Sequence, residues 1–462
     1  MSSSSRRKFL QQLSSTGLAL TAATLPAFAA EPAIREYILS NPGKISPNDR
    51  LRIATIGMGI MGYNDTDTAL KVPGIELVAA CDLYTGRLQR AKEKYGSHVF
   101  ATRDYREILE RKDIDAVIVG TGDHWHSRIA IDAMNKGKHV YCEKPMVRQI
   151  SEGAAVIAAQ QKTDKVMQVG SQGISGLEYL KARELYQAGE IGKLNCIEAS
   201  YDRHSALGAW EYTMPTDGSA QTVDWDRYIA GMPKEPYDAR KFFWWRNYKE
   251  FGTGVAGDLF VHLLTAVHMI TGSKGPEKIY ATGEISYWKD GRNVPDIMTA
   301  IMDYPETKEH PAFKLTLRVN FSSGMGERSV IRFIGDEGVM ETGDGVKITH
   351  DLLAKAPGIG GWDALTTYPK AMQETLVKQY NEKYSKAEQE QPQKPAVIYK
   401  APEGHDEHVA HFTNFFDAIR TNGKVLEDAV FGFRAAAPCL ACNDSYFSKK
   451  IIEWDPVNMK LV

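Results

Sequence analysis

The sequence predicts an α/β Rossmann domain followed by an α+β C-terminal domain with a large, mostly antiparallel open sheet. Three observations predict this arrangement. A glycine-rich turn follows an apolar strand that ends at Ile56, apolar strands alternate with helical stretches up to about residue 170, and period-two patterns dominate the second half. The 462-residue chain is 43% apolar and 25% charged, which is ordinary composition for a globular protein.

Charge and cysteine content exclude several classes of function. The chain has 56 basic and 58 acidic residues and a formal net charge of −2, with no basic stripe, so we expect no nucleic-acid partner. Five cysteines in this length do not form a disulfide framework. No apolar run approaches the roughly 18 residues that cross a bilayer, so no membrane span is expected.

Residues 1–29 are predicted to be a twin-arginine signal peptide. The adjacent Arg6 and Arg7 precede a mildly apolar stretch, and Ala27-Phe28-Ala29 places small residues where a signal peptidase cleaves. The alternative is a frayed basic helix. Because twin-arginine export carries folded proteins, the signal predicts a periplasmic protein that meets the twin-arginine export machinery. Residues 30–50, rich in Pro, Asn and Ser, are predicted to be a linker.

Residues 51–170 are predicted to be an NAD-binding Rossmann domain. The strand Leu51–Ile56 leads into Gly57-Met58-Gly59-Ile60-Met61-Gly62, and a helical stretch follows. In this motif Gly57 permits a tight turn, Gly59 lets the backbone approach a pyrophosphate, and Gly62 lets helix and strand pack closely. The phosphates would then lie at a helix N-terminus. A glycine turn in an unrelated α/β fold is the alternative.

The next strand, Glu76–Cys81, ends in Asp82, which lies twenty residues beyond Gly62. A carboxylate at this spacing accepts hydrogen bonds from the ribose hydroxyls of NAD. It would also repel a 2′-phosphate, so NAD is expected rather than NADP. The nearby Arg87 weakens this preference.

Strands and helices continue to alternate beyond Asp82. Helices are expected over 85–95, 104–111 and 127–136, a strand over Asp115–Gly120, and a last strand over His139–Cys142. Ligands of such sheets bind beyond the carboxyl ends of the strands. Asp82, His124 and Lys144 all lie at such ends.

Residues 171–462 are predicted to be an α+β domain that binds substrate and forms the oligomer. Alternation with period two predicts strands with one covered face. These strands are Lys193–Tyr201, Lys278–Tyr287, Ile297–Tyr304, Phe313–Phe321 and Ser329–Ile334. A polar insertion occupies about 350–400 and includes a charged helix over 366–390. Closing helices are expected over 406–420 and 428–447.

The stretch from Phe242 to Met269 contains the candidate substrate residues. From Asp258 the pattern is helical, so Asp258 and His262, four residues apart, share one face. An N-cap role for Asp258 and a core position for His262 are the alternatives. Trp245, Arg246 and Tyr248 suit a polyol site, with flat faces for C–H surfaces and donors for hydroxyls. The alternative is a packing cluster of aromatic residues.

The chain resembles the glucose–fructose oxidoreductase / inositol dehydrogenase / rhizopine-catabolism (Gfo/Idh/MocA) family. The resemblance rests on the glycine motif, His124-Trp125-His126, Glu143-Lys144-Pro145 followed by a helix from Ser151, Gln168-Val169-Gly170-Ser171-Gln172 and Gly189-Glu190-Ile191-Gly192. It covers nearly all of the chain after the signal. The chain departs from the family pattern at Gly122, where a Pro commonly stands and where Gly would loosen the turn, and in the 350–400 insertion.

The resemblance implies roles for specific residues. Lys144 would contact both nicotinamide and substrate, and the Asp258–His262 pair would lie opposite the nicotinamide. Further cofactor contacts are expected from Thr121, His124, Trp125 and Glu143. The second-domain sheet often forms the oligomer interface in this family, so a homo-oligomer, a dimer or tetramer, is expected.

These groups suit oxidation of a CH–OH group. His262 would be a base poised near neutrality, Lys144 would stabilise charge on the same oxygen, and Asp258 would bind a neighbouring hydroxyl or orient the histidine. We therefore predict an NAD-dependent oxidoreductase acting on a carbohydrate or cyclitol. Export into a compartment without an NAD pool further predicts a tightly held cofactor and a redox-neutral cycle.

Two other functions remain open. NAD-dependent glycosidases of similar fold work through a transient keto-sugar, but their equivalent of Glu-Lys-Pro usually lacks the lysine, whereas this chain has Lys144. A non-catalytic sugar-binding protein is disfavoured by the intact motifs.

No metal site is predicted. Cys439 and Cys442 form an isolated pair in an apolar helix, and the expected role of that pair is core packing. His405, His408 and His411 repeat every three residues, and a solvated helix face is expected for them.

Overall fold

The computed structural model describes residues 46 and 49–462. The predicted signal peptide, residues 1–29, lies outside the described residues, as does most of the predicted linker. Among the helices in the described part of the chain, none combines the length and apolarity that crossing a bilayer requires.

The first sheet has six parallel strands in the order β3-β2-β1-β4-β5-β6. Its strands are β1 Leu51–Ile56, β2 Ile75–Cys81, β3 Phe100–Thr102, β4 Ala116–Val119, β5 His139–Glu143 and β6 Met167–Gly170. Its connecting helices are α1 Ile60–Ala69, α2 Thr85–Tyr95, α3 Tyr105–Glu110, α4 His126–Asn135 and α5 Gly153–Thr163. Buried aliphatic residues fill all four positions of β4, as expected for a strand covered on both faces.

The predicted elements of this domain agree with the structure within one or two residues, and β1 and α2 agree at both ends. Two strands were not predicted. The strand expected to be last is followed by β6, which pairs with β5, so that prediction is wrong. Strands of three and four residues are too short to show a period in the sequence.

The second sheet has ten strands in the order β14-β13-β12-β11-β7-β10-β9-β8-β15-β16. The strands are β7 Leu194–Asp202, β8 Lys278–Glu284, β9 Ile297–Tyr304, β10 Phe313–Asn320, β11 Arg328–Gly335, β12 Gly338–Gly343, β13 Gly345–His350, β14 Val397–Tyr399, β15 Ile452–Asp455 and β16 Lys460–Leu461. Only the β7–β10 pair is parallel among the described pairs of this sheet. The predicted large, mostly antiparallel sheet is confirmed.

The helices of the second half run from α6 to α13. They are α6 Leu177–Gln187, α7 Trp225–Tyr228, α8 Ala239–Phe243, α9 Val261–Thr271, α10 Lys370–Lys383, α11 Lys386–Gln389, α12 Glu407–Thr421 and α13 Ala429–Ser448. Helix α13 packs on β8 and on α9, and the apolar residues of β10 face this layer. The other face of the sheet is exposed, with Tyr280 45% and Ile301 49% accessible.

Helix α12 packs against the first sheet, although the sequence places it in the second domain. Phe412, Phe415 and Phe416 are fully buried in one apolar cluster with Ile53 and Tyr141 of the first domain. The chain therefore returns to the Rossmann sheet after completing most of the second sheet. The sequence pattern of α12 shows an apolar face but not which sheet that face covers.

The insertion contributes to the edge of the second sheet. The single charged helix predicted over 366–390 is two helices, because α10 ends before Tyr384 and Ser385 then caps α11. Strand β14 pairs with β13 and extends the sheet. Trp362, in the same segment, is fully exposed.

Candidate active site

A glycine loop between β1 and α1 forms one wall of a deep cleft. Gly57 has φ +94°, and a Cβ atom there would lie 2.6 Å from the backbone of Gly120, which follows β4. A Cβ atom on Gly62 would overlap the carbonyl oxygen of Gly57. At Gly59 the nearest neighbouring atoms would be 4.0 Å away, on Arg87. The turn at Gly57 and the close packing at Gly62 are confirmed, and the space beside Gly59 fits a pyrophosphate.

Helix α1 begins inside the glycine motif. Gly59 is its N-cap residue, and no side chain of the described residues caps it, so its first N–H groups and its dipole are available to an anion. Ile60 and Met61 line the cleft. The Met58 side chain is fully buried in the core, and its backbone N–H donates to Asp82 Oδ2 over 2.8 Å. These residues fit the diphosphate of NAD.

Asp82 lies at the carboxyl end of β2, beside the glycine loop. Its Oδ1 accepts from the backbone N–H of Tyr84 over 2.8 Å, and Arg87 Nη1 lies 3.4 Å from its Oδ2. The Arg87 guanidinium also lies over the rings of Phe242 and Phe243, at 5.9 and 5.6 Å from their centroids. Asp82 is therefore fixed as an acceptor at the predicted ribose position, with a cation next to it.

The segment after β4 supplies the next part of the wall. Thr121 and Trp125 line the cleft, but His124 does not. The His124 ring nitrogens lie 3.2 Å from the Phe251 carbonyl oxygen and 3.1 Å from that of Tyr228. Burial lowers the pKa of the His124 imidazole to about 3. The structure thus places His124 in packing between the domains, and its predicted cofactor contact stays a prediction.

Gly122 lies in the turn after β4 that a glycine was expected to loosen. It has φ −67° and ψ 149°, a conformation that proline also adopts. The backbone at Gly122 would therefore also accept the proline that commonly stands there in the family.

Asp123 is a site residue that the sequence prediction missed. Its side chain is 1% exposed, and its Oδ2 accepts from the Thr253 N–H over 3.0 Å and from the Thr253 hydroxyl over 2.7 Å. Burial and the charge of Asp258 raise the pKa of its carboxyl to about 7. The sequence did offer a signal for Asp123, because it is an acidic residue that follows a strand and directly precedes the predicted His124.

Glu143 and Lys144 follow β5 and lie on the cleft wall. The Gln172 amide donates to Glu143 Oε1 over 2.6 Å, and burial raises the pKa of the Glu143 carboxyl to about 7. Asp65 of α1 lies behind it, and burial together with the charge of Glu143 raises the pKa of Asp65 well above its usual range. Two buried acids that interact with each other, Glu143 and Asp65, therefore lie close to the cleft wall that carries Lys144. The Lys144–Pro145 peptide bond is cis.

Lys144 and Asp258 form a buried ion pair across the two domains. Lys144 Nζ donates to Asp258 Oδ1 over 3.0 Å and to the Asp258 carbonyl oxygen over 2.9 Å. That carbonyl lies in a π-helical turn, Ala256–Phe260, directly before α9; such turns are frequent at functional sites. Burial favours the neutral acid, but the charges of Lys144, Arg246 and Arg203 outweigh it and hold the pKa of Asp258 far below its usual value.

Arg246 binds the same carboxylate oxygen of Asp258 as Lys144 does. Its Nε donates to Asp258 Oδ1 over 3.2 Å, and its guanidinium carbon lies 4.2 Å from the centroid of the Trp245 ring. Trp245 and Arg246 both line the cleft. Tyr248 does not, because it is buried in an aromatic cluster with Phe242. The structure therefore places Tyr248 away from the predicted substrate position.

His262 lies one helical turn beyond Asp258, and its ring centroid is 6.2 Å from that of Tyr201. Burial and the charge of Lys144 lower the pKa of the imidazole to about 3. The expectation of a base poised near neutrality is therefore wrong for the structure as it stands. Spacing in the sequence shows that His262 faces Asp258, but not that Lys144 would bring a positive charge beside it.

The cleft contains about 1040 Å³ of space, which includes solvent at its open mouth. Twelve of the predicted residues line it: Gly57, Gly59, Ile60, Met61, Asp82, Arg87, Thr121, Trp125, Glu143, Lys144, Trp245 and Arg246. Asp258 is not among the lining residues, but it forms ion pairs with two of them, Lys144 and Arg246. Further lining residues were not predicted, among them Arg103, Tyr105, Tyr212, Arg227 and Tyr228. Tyr105 begins α3, and Arg227 and Tyr228 lie in α7, but none of the five residues belongs to a sequence motif.

The cysteine pair and the histidine repeat, for which no metal site was predicted, include buried residues in the structure. Cys439 and Cys442 are buried free thiols. His411 is fully buried, with its ring nitrogens 2.9 Å from the Ser175 hydroxyl and 2.8 Å from the Val169 carbonyl oxygen, so the expected solvated face is wrong for this residue. Over the described residues, no group of three or more His, Cys, Asp or Glu side chains is arranged to hold a metal ion.

Comparisons with known proteins match both halves. Residues 51–171 match the family model described as "Oxidoreductase family, NAD-binding Rossmann fold", and residues 227–341 match the model described as "GFO/IDH/MocA C-terminal domain". Among solved structures, levoglucosan dehydrogenase in complex with NADH and L-sorbose superposes with a TM-score of 0.62 at 18% identity, covering 88% of this chain and 100% of that chain. This likeness concerns the fold.

Curated relatives match over part of the chain. Inositol 2-dehydrogenase of Salmonella typhimurium is 33% identical over 167 residues, which are 36% of this chain and 49% of the relative. A glycosyl hydrolase family 109 protein of Shewanella baltica is 31% identical over 208 residues, which are 42% of this chain and 45% of the relative. The chain thus spans about half the length of the curated relatives that it matches.

Proposed function

The chain belongs to the Gfo/Idh/MocA oxidoreductase family, and from that premise we propose that it oxidises a hydroxyl group of a carbohydrate or cyclitol. Bound NAD would supply the hydride acceptor. The observation that carries the proposal is the buried Lys144–Asp258 pair, 3.0 Å apart, on the wall of the NAD cleft. The inositol dehydrogenase relative supports the substrate class.

Four residues of the chain have separate roles in the proposed oxidation. Lys144 donates a hydrogen bond to the substrate oxygen and stabilises the negative charge that develops there. Asp258 fixes the lysine through its carboxylate and its carbonyl oxygen. His262 is neutral and makes no side-chain hydrogen bond to the described residues, so one ring nitrogen is available to accept the substrate proton. Trp245 presents a flat face to C–H groups.

We further propose that the protein is exported by the twin-arginine route to the periplasm with its NAD already bound. The twin-arginine pattern at Arg6 and Arg7 supports this. A compartment without an NAD pool favours retention of the cofactor and a redox-neutral cycle, closed by a second carbonyl compound or by the keto product. Protein purified without added nucleotide, then desalted and denatured, should release close to one NAD(H) per chain. Empty protein with high-micromolar affinity would contradict retention.

An NAD-dependent glycosidase is the second candidate, because a glycosyl hydrolase family 109 protein is among the relatives. The retained Lys144 favours the oxidoreductase. A non-catalytic sugar-binding protein is the third candidate, and the intact glycine loop and ion pair disfavour it. The exposed face of the second sheet, with Tyr280 and Ile301, suits a homo-oligomer.

A panel of sugars, cyclitols and their glycosides separates these candidates. Purified protein with NAD should raise the absorbance of reduced nicotinamide with at least one free sugar or cyclitol, or exchange hydride between such a pair. Release of the aglycone from a glycoside without net reduction would favour the glycosidase. Binding of a sugar without either reaction would leave the non-catalytic protein.

A further inference from the structure

The Arg246 side chain is held rigidly, yet only one of its three guanidinium nitrogens is used. Its Nε donates to Asp258 and its plane lies on Trp245. Its two terminal nitrogens make no hydrogen bond to the described residues, and neither is among their fully buried unpaired polar atoms. The side chain is 20% exposed and lines the cleft. A pair of adjacent N–H donors thus faces solvent in a fixed position.

Positive charge exceeds negative charge around this pair. Lys144, Arg246 and Arg203 all act on Asp258, and their charges keep the pKa of this acid far below its usual range despite its burial. Asp258 is therefore ionised and is shared among three cations. Arg203 itself donates to the Gly208 carbonyl oxygen over 2.9 Å and also neighbours the exposed Glu327.

The other acids of the cleft do not restore the balance at neutral pH. Burial raises the pKa of both Asp123 and Glu143 to about 7, so each is only partly ionised there. Glu143 is further occupied by the Gln172 amide. Lys144, Arg246 and Arg203 face two ionised carboxylates, Asp258 and Glu327, so positive charge is in excess to the extent that Asp123 and Glu143 hold their protons.

A neutral sugar would leave this surplus unpaired when it displaces water from the cleft. Unpaired charge in a desolvated site is unfavourable. A carboxylate would pair with it, since the two oxygens of a carboxylate match the two end nitrogens of a guanidinium. A phosphate monoester carries roughly −1.5 to −2 at pH 7 and would overcompensate.

We propose that the substrate of this cleft is an acidic sugar or cyclitol derivative, and that Arg246 binds its carboxylate while Lys144 contacts the hydroxyl to be oxidised. The inference rests on the proposed function and narrows its substrate class to uronates, aldonates and carboxylated cyclitols. Arg246 is then a specificity-determining residue, in addition to its ion pair with Asp258.

The bound carboxylate has a consequence for His262. Lys144 and Arg203 both lower the pKa of this imidazole, whereas the charge of Asp258 raises it. A second carboxylate in the cleft acts in the same direction as Asp258. A carboxylate bound at Arg246 would therefore make His262 a stronger base.

Titration calorimetry on purified, NAD-loaded protein tests the proposal with matched pairs: glucuronate against glucose, galacturonate against galactose, and gluconate against sorbitol. At least one acid should bind about ten-fold or more tightly than its neutral partner, the effect of one charged hydrogen-bonded pair. Higher salt should reduce this preference. Glucose 6-phosphate is titrated in a separate experiment. If it binds more tightly than every carboxylate, the proposal that Arg246 binds a carboxylate is wrong.

Substitutions at Arg246 then test whether this residue causes the preference for the acid. Arg246→Gln should abolish the preference for the acid over its neutral partner, and Arg246→Lys should retain part of it. Arg240→Gln is the matched control, since Arg240 is an exposed arginine of the same segment that donates to the Asp290 carbonyl oxygen. Thermal unfolding of each variant reports whether it is folded.

The outcomes separate the two proposals. Oxidation of neutral sugars with kcat/KM equal to or above that of every acid would overturn the acidic substrate and leave the oxidoreductase standing. An acid preference that survives Arg246→Gln would also overturn the inference. Absence of binding and turnover with all sugars, acidic and neutral, would contradict the proposed function and the inference together.

Discussion

The cofactor side and the substrate side of the cleft are built in different ways. On the cofactor side the backbone is the main determinant: Gly57, Gly59 and Gly62 shape a loop against which Asp82 is fixed by a backbone N–H. On the substrate side charge is the main determinant, because Lys144 and its partners come from distant segments and share one carboxylate. A local motif therefore predicts the first region, whereas the second exists only in the folded chain.

The largest test of the substrate side is Lys144→Ala. We expect kcat to fall about 100- to 1,000-fold, as when one donor to a developing oxyanion is removed. The fold should be retained, because Arg246 still pairs with Asp258, and NAD should still bind, since Lys144 is only one of its expected contacts. Steady-state kinetics on an accepted substrate, with fluorescence titration of NAD, measure both.

Lys136→Ala is the matched control for this prediction. Lys136 is half-exposed and pairs with Glu110 on the surface of the first domain, so its loss should leave kcat unchanged. Turnover of Lys144→Ala within three-fold of the unmodified protein would remove Lys144 from the chemistry.

The fold was largely predictable because its elements carry period and turn signals of their own. Strand β1 and helix α2 agree with the prediction at both ends. Strands β3 and β6 were missed because they are too short to show a period, and β12 and β13, of six residues each, were not among the predicted strands either. The position of α12 was also missed, since an apolar helix face does not identify the sheet that it covers.

The site was predictable as a set of positions but not as a set of charge states. The motifs located Lys144, Asp258 and His262. They did not indicate that His262 would have a pKa of about 3 or that Asp123 would have one of about 7. These values depend on burial and on charges that only the tertiary structure brings together.

Two alanine substitutions in the glycine loop test whether backbone geometry determines the cofactor side. Gly62→Ala places a Cβ atom against the carbonyl oxygen of Gly57, so we expect a loss of about 1–3 kcal/mol in the free energy of unfolding, as for overpacking. Gly59→Ala meets no nearby atom and has an ordinary φ of −80°. It should keep the stability of the parent and lose NAD affinity.

Denaturant unfolding and NAD content per chain, measured for both variants, distinguish these effects. The two glycines serve as controls for each other, because the substitution is the same and only the surroundings differ. Equal stability of the two variants would contradict the steric assignment.

Asp82→Ala tests the one charged group on which the cofactor side depends. Removal of the carboxylate takes away the acceptor for ribose hydroxyls, so NAD should bind about 10- to 100-fold more weakly, the range for a charged hydrogen bond. NADP should be affected far less. Arg87→Ala should instead weaken NADP relative to NAD, because it removes the cation beside Asp82.

Calorimetry on cofactor-free protein gives the NAD and NADP affinities of the unmodified protein and of both variants. Tighter binding of NADP than of NAD by the unmodified protein would show that the Arg87 guanidinium, 3.4 Å from Asp82, outweighs the carboxylate.

The last test concerns Asp123, where the two sides of the cleft meet. The pKa of its carboxyl is raised from 3.8 to about 7 by burial and by Asp258, so the folded chain holds this proton more tightly than the unfolded chain does. Its contribution to stability is fully present below about pH 4 and is lost as the pH rises to about 7. Glu143 and Asp65 act in the same direction.

Asp123→Asn should therefore make the free energy of unfolding less dependent on pH between 4 and 7, by up to about 1.4 kcal/mol per pH unit. The asparagine oxygen can still accept from Thr253, so the fold should be retained. Asp113→Asn is the control, because an ion pair with Arg111 lowers the pKa of the exposed Asp113 and its loss should act weakly and in the opposite sense. An unchanged slope in Asp123→Asn, measured by denaturant unfolding at several pH values, would mean that Asp123 is ionised in the folded chain, and that the cleft has a second permanent carboxylate beside Asp258.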